Sequence, residues 1–276
     1  VKNELGWDMI EFEAANNTQI EQGMRKVADR GATLVVAMGF AQADAVAAIA
    51  PQYPDVNFVA VDVCWVDDPA GNIYQACYLE HEGSFLVGMI AAMASKSGTV
   101  GFVGGMDIPL IRKFQGGYEQ GALYANPDIK ILANMTGTTP EAWNNPTKGA
   151  ELTKAQIDGG ADVVYQAAGG TGIGVLQAAA DAGIYGIGVD TNQNWMHPGS
   201  MLTSMLKRLD LTIFEQAEKT AAGTFEPGIN ILGLAQGMVG YAMEDGQVTA
   251  DMQSAAEAAA ADIISGAITV ADWSQE

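Results

Sequence analysis

The sequence has few basic residues, few cysteines and no long apolar run. It contains 13 Lys and Arg against 33 Asp and Glu, which gives a formal net charge of −20 over 276 residues. A field of this sign repels phosphate backbones and anionic membrane surfaces, so nucleic-acid binding is not expected. No apolar run approaches the roughly 20 residues that a transmembrane helix needs. Hydrophobic residues still make up 49% of the chain, which is enough for a substantial core.

Cysteine and histidine are scarce, and no local pattern is typical of catalysis. Cys64 and Cys77 allow either one disulfide or two buried free thiols, and the sequence leaves both open. His81 and His197 have no cluster of metal ligands at a suitable spacing, so we interpret them as structural. The sequence contains neither G-x-S-x-G nor H-E-x-x-H, and it has no two carboxylates that their spacing in the sequence would bring together. We therefore predict no catalytic residue, no metal site, no cofactor and no enzyme activity.

Apolar runs alternate with helix-period segments along the chain. The runs are ATLVVAMG (32–39), VNFVAVDV (56–63), TVGFVGG (99–105), ADVVYQA (161–167) and YGIGVD (185–190). The helical segments between them end at Gly or Pro, as helix C-termini commonly do. Strands that are apolar throughout are covered on both faces, so these runs predict parallel sheet. The predicted fold class is α/β, with doubly wound parallel sheets.

Two tandem halves of the sequence are similar to each other. Each half contains a segment that joins a helix end to a strand: DRGATLVVAMGF in the first half and DGGADVVYQAAG in the second. This repeat predicts two lobes of like topology. Because no low-complexity linker separates the halves, we expect short crossing segments and a cleft shared by the lobes.

Polar and aromatic residues stand where predicted strands end. They are Gly39-Phe40, Asp107, Tyr165 with Gly169-Gly170, and the segment 190–193. Ligands of open parallel sheets bind beyond the carboxyl ends of the strands, so we expect these clusters to line the cleft. Glycine lets backbone approach a ligand closely, helix-opening N–H groups can donate to hydroxyls, and the Tyr165 ring would offer a stacking face.

The glycine-rich loop does not match a phosphate-binding fingerprint. GGTGIG departs from G-x-G-x-x-G, although Asp190, about 20 residues beyond Gly170, keeps a dinucleotide interpretation open. Asp107 either caps the following helix or binds a ligand. Lys207 is either a surface charge or a contact where the lobes meet. Trp143 lies in a predicted loop and packs either on protein or on ligand.

Longer blocks of the sequence are similar to one protein family. They are GFAQADAVAAIAPQYPDVNFVAVD, HEGSFLVGMIAAMASKSGTVGFVGGMDIPLIRKFQGGYEQGALYANPDIK, VVYQAAGGTGIGVLQAA, IGVDTNQ and LTSMLKRLD. Together they resemble the basic membrane protein family of ABC-importer substrate-binding proteins, and within it the purine nucleoside receptors. The resemblance implies a type I periplasmic-binding fold of two α/β lobes joined by a hinge of three crossing segments. It places lobe 1 at 1–98 plus 203–226 and lobe 2 at 99–202 plus 227–276.

The resemblance also implies roles for individual residues. Asp107 would hydrogen-bond a purine base, and Tyr165 would stack on the base where the family often has Phe. Gly170, Asp190 and Lys207 would hold the ribose hydroxyls, which suits a desolvated carboxylate. The predicted ligand-binding set is completed by two aromatic residues, Phe40 and Trp143.

One part of the family pattern has no counterpart in this sequence. Members begin with a first strand and an Asp-x-Ser-Phe-Asn segment, whose Phe and Asn contact the base. A lobe without its first strand would expose apolar surface and backbone hydrogen-bonding groups. By analogy with the family, we expect roughly 30 further N-terminal residues in the protein.

The predicted function is capture of a purine nucleoside such as adenosine, guanosine or inosine, and its delivery to an ABC permease. As the resemblance implies, the protein would be bacterial, periplasmic or attached to the cell envelope as a lipoprotein, and we expect a monomer. The alternatives are a receptor of the same fold for riboflavin or a sugar, a sensor or effector-binding domain, and an NAD-dependent enzyme.

Overall fold

The structure is a computed structural model and describes residues 2–14 and 17–275. The nine α-helices within these residues are α1 (Lys2–Leu5), α2 (Asn17–Asp29), α3 (Ala43–Ile49), α4 (Glu80–Ala94), α5 (Pro109–Ala125), α6 (Pro146–Asp158), α7 (Gly172–Asp181), α8 (Leu209–Ala222) and α9 (Ala250–Ser265). The ten strands of the same ranges are β1 (Leu34–Ala37), β2 (Asn57–Val61), β3 (Ile73–Tyr78), β4 (Thr99–Met106), β5 (Lys130–Gly137), β6 (Val163–Ala167), β7 (Tyr185–Gly188), β8 (Met201–Lys207), β9 (Gly228–Leu232) and β10 (Val239–Tyr241).

The chain forms two compact units, each built from two separate stretches. Unit 1 comprises Val1–Tyr78 with Leu209–Leu232, and unit 2 comprises Leu79–Arg208 with Gly233–Glu276. The chain therefore passes from one unit to the other three times. Each unit contains a sheet of mainly parallel strands with helices between them in the sequence. The predicted α/β class is confirmed.

The boundaries of the units fall at other residues than those we predicted. Residues 79–98 and 203–208 belong to unit 2, whereas 227–232 belong to unit 1. The reason lies in the packing and pairing of the elements concerned. The α4 backbone lies directly against α5, β8 pairs with β7, and β9 pairs with β3.

Unit 1 has a four-stranded parallel sheet in the order β1-β2-β3-β9. Its core consists of apolar side chains from the strands and from α3, among them Val46, Ile49, Phe58 and Ile73, all of which are fully buried. Cys64, in the loop after β2, forms a disulfide with Cys77 of β3. Of the two alternatives that the sequence left open, the structure has the cross-link.

Unit 2 has a six-stranded sheet in the order β10-β8-β7-β6-β4-β5. Its pairs are parallel except for the antiparallel pair of β10 and β8. Apolar side chains of the strands and α7 form one cluster that includes Val103, Val164 and Val175. A second cluster joins α4 and α9 through Phe85 and Ile263.

Local sequence sets where helices of unit 2 begin and end. Asn145 caps α6 by accepting a hydrogen bond from the Lys148 amide, and Pro146 occupies the first helical position. Thr249 caps α9 in the same way, and Gly266, directly after α9, has the left-handed conformation, with φ of 79°.

Candidate functional site

The sheet of unit 2 has a topological switch point between β4 and β6. From β4 the chain continues to β5 on one side, while β6, β7 and β8 follow on the other. Crevices at such points, beyond the carboxyl ends of the strands, are where open α/β sheets bind ligands. Asp107 follows β4 and Gly169 with Gly170 follows β6, so these residues lie at the carboxyl ends of their strands, the position that the sequence predicted.

Trp143 lies across this switch point. It ends a 3₁₀ turn after β5, and its indole occupies the space that a Cβ atom on Gly105 of β4 would need. A Cβ atom built on Gly169 would lie 3.6 Å from Cε3 of the same indole. Trp143 is partly exposed. An aromatic surface therefore lies at the carboxyl ends of both central strands.

Two threonines fix the loop that carries Trp143. The hydroxyl of Thr171 donates to the Ala142 carbonyl at 2.7 Å and accepts from the Asn145 amide at 2.7 Å. The hydroxyl of Thr136 also contacts the Ala142 carbonyl, at 3.0 Å. The loop after β5 is thus tied to the glycine-rich turn after β6.

The glycine-rich turn is shaped by close approach of backbone. Gly169 has φ of 55°, a conformation that favours glycine. A Cβ atom on Gly170 would lie 3.1 Å from the Trp143 carbonyl oxygen. Gly174 lies where any side chain would overlap the Pro146 backbone. These glycines allow α6, α7 and the Trp143 loop to meet, which is a structural role in addition to the predicted contact with ligand hydroxyls.

Tyr165 is not at the end of its strand, so this part of our prediction is wrong. It is the third residue of β6 and is 0% exposed. Its ring contacts Phe102 and Tyr118 with centroids 5.5 and 5.2 Å away, and its hydroxyl lies 3.3 Å from the Ser84 hydroxyl. Burial raises the pKa of Tyr165 well above its ordinary value. Stacking of a ligand on this ring stays a prediction, since neither face is open to solvent in the structure.

Asp190 follows β7 with an unusual backbone conformation. Its φ is 66°, in the left-handed region that aspartate tolerates better than most residues. Its carbonyl accepts a hydrogen bond of 2.9 Å from the Lys207 amide. The carboxylates of Asp190 and Glu80 also contribute to the raised pKa of Tyr165. Backbone strain of this kind commonly persists where function needs it.

Lys207, the last residue of β8, is buried within a group of charges. It is 4% exposed, and its Nζ lies 3.2 Å from Oε1 of Glu80 and 5.7 Å from the centroid of the Phe114 ring. The other oxygen of Glu80 lies 3.2 Å from Nζ of Lys113. Lys207 is therefore not a surface charge, and its amide and ammonium connect Asp190 with Glu80.

Asp107 forms an ion pair and does not cap the helix. The N-cap of α5 is Ile108. Nε and Nη2 of Arg112 donate to the two oxygens of Asp107 at 2.7 and 2.8 Å. Both side chains remain more than a third exposed. They line a cavity of about 510 Å³ together with Ile108, Pro109 and Trp273. Any contact of Asp107 with a base would have to share the carboxylate with Arg112.

Phe40 belongs to unit 1. It opens a 3₁₀ turn between β1 and α3, directly after Gly39, whose φ is 93°. The ring is partly exposed. Six of the seven predicted ligand-binding residues lie in unit 2, and Phe40 is the seventh.

Sequence reasoning missed residues that the structure connects to the predicted set. Glu80 holds Lys207, and Arg112 holds Asp107. In unit 1, Asp62 follows β2 with φ of 61°, as Asp190 follows β7. The similar endings VAVD and IGVD could have revealed Asp62. No short motif could have revealed Glu80, because its partners are 33 and 127 positions away.

The described part of the chain has neither a cluster of metal ligands nor a membrane-spanning helix. Within residues 2–14 and 17–275, no three His, Cys, Asp or Glu side chains are grouped so that they could hold a metal ion. Among the helices described there, none combines the length and apolarity that crossing a bilayer requires.

The fold defines the class of protein. A solved solute-binding protein of an ABC transporter system from Aeropyrum pernix K1 has the same fold, with a TM-score of 0.86 and 26% identity over 98% of this chain and 86% of that one. The molecule is an α/β protein of the solute-binding class.

Sequence comparison identifies the family within this class. Residues 1–273 match the Bmp family, described as ABC transporter substrate-binding protein PnrA-like, and the chain belongs to this family. Basic membrane protein A2 of Borrelia garinii subsp. bavariensis is 30% identical, over 98% of this chain and 80% of that protein. The ABC transporter nucleoside-binding protein BmpA of Lactococcus lactis subsp. cremoris is 31% identical, over 94% of this chain and 77% of that protein. The resemblance inferred from sequence blocks is confirmed.

Proposed function

We propose that this substrate-binding protein captures a purine nucleoside at the carboxyl edge of the unit 2 sheet. The observation that carries the proposal is the connected group of Asp190, Lys207 and Glu80 at the carboxyl ends of β7 and β8. The relative from Lactococcus lactis, 31% identical, is named as nucleoside-binding, which supports the same ligand class here.

The chemistry of these groups suits a neutral polar sugar. A carboxylate such as that of Asp190 accepts hydrogen bonds from two vicinal hydroxyls, and charge-assisted bonds of this kind are about twice as strong as neutral ones. The ammonium of Lys207 donates to hydroxyl oxygens. The Gly170 amide adds a further donor close to the sugar.

The base would be bound by aromatic stacking and by a polar edge. Trp143 is the partly exposed aromatic side chain at the switch point, and base stacking on such a ring contributes about 1–3 kcal/mol. Asp107, held by Arg112, would accept a hydrogen bond from the base edge. Tyr165 contributes to stacking only if its buried ring becomes accessible on binding.

The bound nucleoside would be passed to an ABC permease, the partner that membership of this family implies. We expect the protein to act outside the cytoplasm, in the periplasm or attached to the cell envelope, and to bind its ligand as a monomer without a cofactor. The strongly acidic charge of −20 disfavours nucleic acid as a competing partner.

Calorimetric titration of the purified protein tests this function. Inosine, guanosine, adenosine, riboflavin, ribose and NAD are titrated in separate experiments. We expect at least one purine nucleoside to bind at least 100-fold more tightly than riboflavin, ribose or NAD. Tighter binding of riboflavin, ribose or NAD would refute the proposal.

Asp190→Asn tests the sugar contact. This change keeps the shape and the tolerance for positive φ but removes the charge, so it should weaken nucleoside binding by about 2 kcal/mol, or about 30-fold. Asp245→Asn is the matched control, because Asp245 also has a positive φ, 58°, and is exposed. Equal affinity of the Asp190→Asn protein and the parent would contradict the assignment.

A further inference from the structure

Glu80 is a carboxylate almost completely withdrawn from water. It lies in the first turn of α4 and is 1% exposed. Oε1 lies 3.2 Å from Nζ of Lys207, and Oε2 lies 3.2 Å from Nζ of Lys113. With only 13 basic residues in the chain against 33 acidic ones, the convergence of two lysines on one buried carboxylate needs an explanation beyond general charge balance.

Stability alone is a weak explanation for such a group. Burying ions costs several kcal/mol each, and replacing a buried ion pair by apolar side chains is often neutral or stabilising. Glu80 does, however, determine where an ammonium lies. Lysine has a flexible four-carbon stem, and here the end of that stem is held by Glu80 and by the face of the Phe114 ring.

Both ends of Lys207 are therefore fixed within unit 2. Its backbone amide donates to the Asp190 carbonyl at 2.9 Å, and its ammonium lies against Glu80. The Lys207 ammonium is thus held at a defined position relative to the Asp190 backbone. An ammonium donates hydrogen bonds to hydroxyl oxygens, so its position determines where such an oxygen can bind.

We propose that Glu80 is a positioning residue for sugar recognition: it holds the Lys207 ammonium where the hydroxyl oxygens of a nucleoside bind. The inference rests on the proposed function. It predicts that Glu80 affects the sugar contact through Lys207 and has little influence on the base.

The experiment compares two ligands that differ only in the ribose hydroxyls, inosine and 2′,3′-dideoxyinosine. Glu80→Gln should weaken inosine binding at least 10-fold and dideoxyinosine binding less than 3-fold. In a Lys207→Met background, adding Glu80→Gln should change inosine affinity less than 2-fold. Glu82→Gln is the matched control, because Glu82 lies in the same helical turn but accepts from the Leu234 amide at 2.7 Å, and it should leave both affinities within 2-fold.

Equal losses for the two ligands, or a further loss in the Lys207→Met background, would overturn the proposal. If Glu80→Gln does not fold, Glu80→Asp replaces it under the same criteria, since aspartate keeps the charge but draws the carboxylate back by one methylene. Thermal unfolding of every variant separates loss of fold from loss of binding.

A measurement without ligand distinguishes failure of this inference from failure of the proposed function. The free protein is acetylated with acetic anhydride, and modification of Lys207 is quantified by peptide mass spectrometry against Lys148, which is 44% exposed. We expect at least a 5-fold rise in Lys207 modification in Glu80→Gln and no change in Glu82→Gln. An unchanged value in Glu80→Gln overturns the anchoring of Lys207. If the anchoring is observed but inosine, guanosine and adenosine all fail to bind the parent, the proposed function fails instead.

Discussion

Replacing Gly121 by Ala should destabilise unit 2, although alanine is the better helix former. Gly121 lies in α5 where that helix touches α4. A Cβ atom built there would overlap the backbone carbonyl of Phe85. Gly117 and Gly88 have the same relation to the backbones of His81 and Tyr118. The two helices are thus in contact through their main chains, which cannot move aside as a side-chain tip can.

The expected magnitude follows from two opposing effects. Alanine gains about 1 kcal/mol over glycine in a helix interior. Overpacking of a well-filled core typically costs about 1–3 kcal/mol. Because the new methyl group would meet rigid backbone, the cost at this site should be about 3 kcal/mol or more. The net loss should therefore be about 2 kcal/mol. For a unit of about 170 residues, this lowers the midpoint of thermal unfolding by about 4–8 °C.

Differential scanning calorimetry measures this change, with Gly83→Ala as the graded control. Gly83 lies in α4, but the nearest atom to a built Cβ is the terminal methyl of Met205 at 2.8 Å, a flexible group. We expect that variant to lose less than about 1 kcal/mol. A Gly121→Ala protein as stable as the parent, or less affected than Gly83→Ala, would refute the main-chain contact between α4 and α5.

Three further predictions concern bonds and charges outside this contact. Replacing Cys64 and Cys77 by Ser removes a cross-link with a sequence separation of 13. The free energy of unfolding of unit 1, measured with urea, should fall by about 3 kcal/mol. An unchanged urea midpoint would argue against the disulfide. Burial lowers the pKa of His81 below its ordinary 6.5. Because the unfolded chain then binds the proton more readily, the free energy of unfolding should fall as pH drops below about 6.5. His81→Asn should make the midpoint of thermal unfolding depend less on pH between pH 7.5 and 5. Asp107→Asn breaks an ion pair whose side chains are 39% and 37% exposed, so the loss should stay below about 1 kcal/mol and shrink at high salt; a loss that salt does not alter would contradict this.

Strands that are apolar throughout could be predicted from sequence, whereas the more polar edge strand β5 could not. The apolar runs at 56–63 and 161–167 correspond to β2 and β6 because both strands lie inside their sheets. The edge strand β5 was not predicted, since its residues KILANMTG are partly exposed and more polar. The run 161–167 ends where β6 ends, but Tyr165 lies two residues before that end because Gln166, a polar residue, continues the strand. Its buried amide donates to Gln193 and accepts from the Ala168 backbone.

The candidate site shows a similar division between local and distant information. Asp107, Gly170 and Asp190 were predicted because they directly follow apolar strands, and the structure places them after β4, β6 and β7. Glu80 could not be predicted because the lysines that it pairs with are far away in the chain. The local sequence indicates which side chains follow a strand. It does not indicate their ion-pair partners, which lie in other elements of the fold.

The cross-link between Cys64 and Cys77 bears on how the protein is made. Disulfides form and persist in oxidising surroundings, whereas the cytosol keeps thiols reduced. Forming the cross-link of unit 1 therefore requires an oxidising environment. A recombinant product from such a cytosol would need an oxidation step before it matches the native molecule.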